Sequence, residues 1–112
     1  MMDAETQRNW RQTVARNLPS IADGSWVTTH GAFEVINSWE DWTDSGCDWM
    51  TAPVFSDREH DAVVELTSAM DALCDVLDTD TFDPLELRKL PEYLAVEIAA
   101  SMAAAAFAET KA

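Results

Sequence analysis

The stretch SDREHDAVVELTSAMDALCDVL, residues 56–77, decides the fold class. Ser56-Asp57-Arg58-Glu59 has the form of a helix capping box, in which the serine hydroxyl accepts from the backbone of Glu59 and the glutamate side chain reaches back. Val63, Leu66, Met70, Leu73 and Leu77 follow at alternating steps of three and four, with Cys74 beside them. One face of a helix running to about Leu77 is therefore core. At about 100° per residue, Asp57, Asp61, Glu65, Asp71, Asp75 and Asp78 project on the opposite side and form an acidic ridge.

Downstream, Asp83-Pro84-Leu85-Glu86 repeats the start signal with Asp as cap and Pro at the first helical position, which predicts a short helix from 84 to about 90. Pro91 opens a last helix to about Glu109, with Leu94, Ile98, Met102 and Phe107 expected to supply bulk and the alanines allowing close approach to a neighbour. Upstream, Trp10, Val14 and Leu18 or Ile21 recur at helical spacing after Asp3, a potential cap, and Pro19 predicts an end near Asn17. This first helix carries Arg8, Arg11 and Arg16, which are expected to pack near the acidic middle of the chain.

Residues 25–36 are rich in Trp, Val, Thr, Phe and Ile and are interrupted by His30-Gly31, the pattern of a short β-hairpin with strands near 26–29 and 32–36. Ser38-Trp39-Glu40-Asp41 reads as a helix start that Gly46 ends within about two turns, and Pro53 predicts extended chain over residues 50–55. The expected fold is mainly α, about four helices with a small β-hairpin near 26–36. An α+β fold with a small antiparallel sheet is the alternative.

The 112 residues suit a single domain, 1–112, and 47% hydrophobic with 25% charged residues is the balance of a globular chain rather than a disordered acidic tail. Met1-Met2-Asp3-Ala4-Glu5 has neither the basic nor the apolar region of a secretory signal. The uncharged run 98–108 is mostly alanine and well short of the roughly 20 apolar residues a membrane span needs. A soluble cytoplasmic protein is expected, with no membrane partner and with Cys47 and Cys74 as free thiols.

Net charge is −14, and its distribution is lopsided. Residues 1–33 are neutral and residues 84–112 carry −1, whereas residues 34–83 hold fourteen acids against one base, Arg58. A solvated helix face is the plain reading of any acidic ridge. Here, however, the ridge has no basic residue after Arg58, and like charges at i, i+4 each destabilise a helix by a few tenths of a kcal/mol. A solubilising surface needs no such one-sidedness.

Trp39, Trp42 and Trp49 lie among Glu40, Asp41, Asp44 and Asp48. At least one of the three is expected in the core, and exposed Trp42 or Trp49 beside carboxylates would suit an interface to a basic protein. The same charge repels phosphates, so direct nucleic-acid binding is disfavoured.

No constellation points to a cofactor, a metal or a catalytic residue. Residues 78–89 fail as a calcium loop, with Phe82 and Asp83 at the fifth and sixth positions and Lys89 at the twelfth. His30, Cys47, His60 and Cys74 have no zinc-type spacing, and nothing beyond residue type makes Cys47 and a histidine a nucleophilic pair. The carboxylates Glu40 and Asp44 could pair for acid–base chemistry, but such pairs arise by chance in so acidic a chain. Asp44-Ser45-Gly46 resembles the attachment serine of acyl carrier proteins superficially, yet glycine stands where their leucine is expected and no helix start follows.

These observations lead to an expectation of binding rather than catalysis. The chain is similar in size and charge to immunity proteins, antitoxins and nucleic-acid mimics, small acidic inhibitors that block a basic site on a partner such as a nuclease or another nucleic-acid-binding protein. On that reading Asp57, Asp61, Glu65, Asp71, Asp75 and Asp78 supply the field, with Trp42, Trp49, Asp44 and Asp48 beside them. The competing expectations are a small globular protein adapted to high salt, although its near-neutral flanks argue against this, and a helical oligomerisation or adaptor domain. A homodimer through the alanine-rich last helix is compatible with the first reading.

Overall fold

The computed structural model describes residues 3–43 and 48–109. The described residues form six helices: α1 (Ala4–Asp23), α2 (Ser25–His30), α3 (Ala32–Trp42), α4 (Asp57–Val76), α5 (Pro84–Leu87) and α6 (Pro91–Glu109). Three long ones make the body, with α6 packed against both α1 and α4. The alanines of α6 permit this: Ala100 and Ala103 are fully buried beside Val96, so neighbouring backbones can come close.

Capping of α4 follows the local sequence signal. Glu59 N donates to Ser56 Oγ at 3.1 Å, and Ser56 N donates to Glu59 Oε1 at 2.9 Å. Val63, Leu66, Met70 and Leu73 are all buried, giving the core face expected for this helix. Asp3 and Asp83 also cap as expected, accepting from Thr6 N at 2.8 Å and Leu85 N at 2.9 Å.

The β-hairpin near 26–36 is not formed, and no strand occurs among the described residues. Those residues make α2 and most of the first half of α3, separated by Gly31 at φ 90° and ψ 160°. Such a backbone conformation is essentially restricted to glycine. Local β propensity loses here to packing: Val27, Ala32, Val35, Ile36 and Trp39 are buried, and only a helical spacing puts the last four on one side. The bend is pinned from far along the chain. Ala32 N donates to Thr81 O at 2.9 Å, and Phe33 N donates to Asp80 Oδ1 at 3.0 Å, so the α4–α5 connection caps α3. A methyl on Gly31 would stand 2.9 Å from Asp80 Oδ1.

Four smaller expectations are also corrected. The first helix passes through Pro19 to Asp23, because Leu18 and Ile21 on either side of the proline are buried, and Gly24 at φ 84° ends it. Ser38 lies inside α3 and is not its start. Residues 50–55 turn rather than extend, closing with Phe55 N to Thr51 O at 3.0 Å. Leu94, Ile98 and Met102 are exposed, not core: of the expected four only Phe107 is buried, and α6 buries Tyr93, Val96, Ala100 and Ala103 beside it.

Two ion pairs tie the helices together. Arg11 of α1 donates to the fully buried Glu59 of α4 at 2.6 Å, and its guanidinium also lies 5.1 Å over the Phe107 ring of α6. Arg88 donates through Nε and Nη2 to Glu97 at 2.9 and 2.8 Å, and through Nη2 to the Asp23 carbonyl at 3.2 Å. The expectation that α1 arginines meet the acidic middle thus holds for Arg11, while Arg8 and Arg16 are exposed.

Candidate functional site

All six ridge carboxylates are exposed. Asp57, Asp61, Glu65, Asp71 and Asp75 lie on α4 away from its buried face, and Asp78 lies two residues beyond the helix end. The Asp61 side chain is 83% accessible, with His60 Nδ1 at 3.8 Å. Arg11, Arg88 and Lys89 pair with Glu59, Glu97 and Glu86, none of which belongs to the ridge. In particular, the arginine that reaches α4 from α1 neutralises the one carboxylate of that helix that is buried.

The aromatic candidates are placed differently. Trp39 is buried and donates through Nε1 to Thr67 Oγ1 of α4 at 2.9 Å. Trp42 is half-buried, edge-on to Trp26 and Trp39 at 5.7 and 6.5 Å between centroids. Trp49, also half-buried, donates to the Thr43 carbonyl at 2.8 Å and meets Phe55 edge-on at 5.5 Å. Much of each ring therefore packs against its own chain, and neither Trp42 nor Trp49 stands free as a protruding anchor. Asp48 is exposed; Asp44 and Cys47 lie outside the described residues. Cys74 is an exposed thiol.

A feature that periodicity did not indicate lies between α4 and α6. An open groove of about 840 Å³ runs along their outer junction, lined by Ala62 and Ala69 of α4 with Arg58, Asp61 and Glu65, and by Ile98 and Met102 among the alanines of α6. Leu94, Ile98 and Met102, one turn apart, are 42%, 61% and 65% exposed. The sequence signal for this face was weak because α6 is apolar on every side, so spacing alone could not say which stripe would be covered. Asp71 and Asp75 project further round α4, away from α6.

Among the described residues no group of three or more His, Cys, Asp or Glu side chains could hold a metal ion, and no helix is long and apolar enough to cross a membrane. No family model, curated protein or solved structure matches the chain.

Proposed function

We propose that this chain is a binding module rather than an enzyme, and that it blocks a basic site on a partner protein with the carboxylates of α4. The partner fits the description of a nuclease or another nucleic-acid-binding protein, whose phosphate-binding surface an immunity protein, antitoxin or nucleic-acid mimic would cover. The observation that carries this reading is the division of labour on α4. Its buried carboxylate is paired with Arg11, whereas Asp57, Asp61, Glu65, Asp71 and Asp75 are presented to solvent along one side. Clustered charge of one sign accelerates encounter with a complementary surface, and pairs that become desolvated add specificity.

The test begins with affinity capture from the native host and proceeds to kinetics with the captured partner. Replacing Asp61, Glu65, Asp71 and Asp75 together by Asn is expected to slow association by about tenfold or more at low salt and to flatten its dependence on ionic strength. All four are exposed, so the fold should be retained. Association rates equal to those of the unmodified protein at low and high salt would remove the reading.

A further inference from the structure

We propose that the α4–α6 groove is a docking site for an amphipathic helix of the partner, one whose apolar stripe is flanked by Lys or Arg. The inference rests on the acidic-module reading above and names the part of the surface that would supply its affinity.

Alanines with Ile98 and Met102 make most of the lining, and the α4 side carries Asp61 and Glu65 together with Arg58. Ile98 and Met102 stand more than half exposed with small alanines around them, leaving a trough into which side chains can be laid rather than a flat patch. On α6 the groove runs from Ala95 to Ala106, about 16 Å at 1.5 Å per residue, or roughly three helical turns. That length accommodates anchors at i, i+3 or i+4, and i+7 on a helix lying in a groove.

Asp61 and Glu65, one turn apart, lie along one edge, with Arg58 a turn earlier, and the rest of the ridge continues the negative charge beyond them. Bases flanking the visitor's apolar stripe would meet Asp61 and Glu65 while its apolar side covers Ile98 and Met102. A second copy of this chain fits less well. Pairing two α6 stripes would bring together two molecules of net charge −14, each with a carboxylate ridge beside its stripe.

Three designed helical peptides of about 15 residues test the proposal by titration calorimetry against the full chain. The first has an apolar stripe flanked by Lys and Arg, the second has the same composition with the stripe scrambled, and the third keeps the stripe but is flanked by Glu. The first should bind, protecting residues 95–106 from hydrogen exchange, and the other two should bind at least about tenfold more weakly. Ile98→Ser with Met102→Ser should weaken the first peptide by about tenfold or more, and Asp61→Asn with Glu65→Asn should weaken it and reduce its salt dependence. Glu5→Gln with Glu34→Gln, exposed acids of α1 and α3 away from the groove, should leave its affinity nearly unchanged.

Equal binding of the first and scrambled peptides would overturn the groove while leaving the acidic reading intact. Equal binding of the first and Glu-flanked peptides would overturn the basic occupant, and with it the part of the acidic reading that this rim supports. A dimer in sedimentation that Ile98→Ser with Met102→Ser dissociates would assign the groove to a second copy instead.

Discussion

The Arg11–Glu59 pair between α1 and α4 and the Arg88–Glu97 pair at the start of α6 differ in how completely water is excluded. At one end of the bundle Glu59 is wholly buried, with Oε1 accepting from Ser56 N and Oε2 from Arg11, whose own side chain is 16% exposed. At the other, Arg88 grips Glu97 with two nitrogens, but the side chains are 36% and 12% exposed. By desolvation the first matters more, because a buried carboxylate that loses its cation has nowhere to place its charge.

Arg11→Met is accordingly expected to give the largest loss, about 3–5 kcal/mol in urea denaturation, since it removes the cation paired with the buried Glu59 carboxylate. Adding Glu59→Leu should restore a substantial part of that loss despite removing the capping-box bond to Ser56 N, worth about 1 kcal/mol. A single variant as stable as the double would show that no uncompensated charge remains in Arg11→Met, and the contrast between the two ends would disappear.

Arg88→Met should lower the melting temperature by less than Arg11→Met, because water can reach the Arg88 side of the pair. Its effect should be local. The Asp23 carbonyl at the end of α1 loses a donor, so hydrogen exchange should quicken around residues 23–26 and the first turns of α6. High salt should shrink the difference between Arg88→Met and the parent protein while barely changing that for Arg11→Met. Equal losses from the two substitutions would mean that partial exposure does not distinguish these sites.

The same contrast explains what could be read from sequence. Ser56 and Glu59 announced the start of α4 because their bonds span three residues, and Asp3 and Asp83 did likewise. The partnership of Glu59 with Arg11 spans 48 residues, and that of Phe33 with Asp80 spans 47, so neither leaves a local pattern. Val27, Val35 and Ile36 have side chains suited to strands, but their place beneath α1 and α4 was settled by packing that propensity does not contain. The six ridge positions were legible because α4 has a clear apolar stripe to set its orientation. The groove beside them was not, because α6 has apolar residues on all sides and its buried face was chosen by the small size of Ala100 and Ala103.

The smallest expected effect at neutral pH lies at the Arg88 end. Tyr93, the only tyrosine in the chain, is 1% exposed, and its hydroxyl is buried without a hydrogen-bond partner among the described residues. Burial first, and then the negative charge of Glu97, hold its pKa well above the ordinary 10.0, with Arg88 opposing. A folded-state pKa above the unfolded value means that the neutral phenol stabilises the fold fully below the unfolded pKa, and that this contribution fades as pH rises beyond it. Tyr93→Phe should therefore change stability by no more than about 1 kcal/mol near pH 7, in the favourable direction, because it removes an unsatisfied hydroxyl with little change in shape. Near pH 11, by contrast, the variant should be clearly more stable than the parent, since only the parent gains from releasing its phenol to ionise on unfolding. Because no other tyrosine contributes, tyrosinate absorbance reports this group alone. It should rise together with the loss of helical circular dichroism; a rise that precedes unfolding would show that water already reaches the hydroxyl, making the Arg88 end more open than the burial of Tyr93 implies.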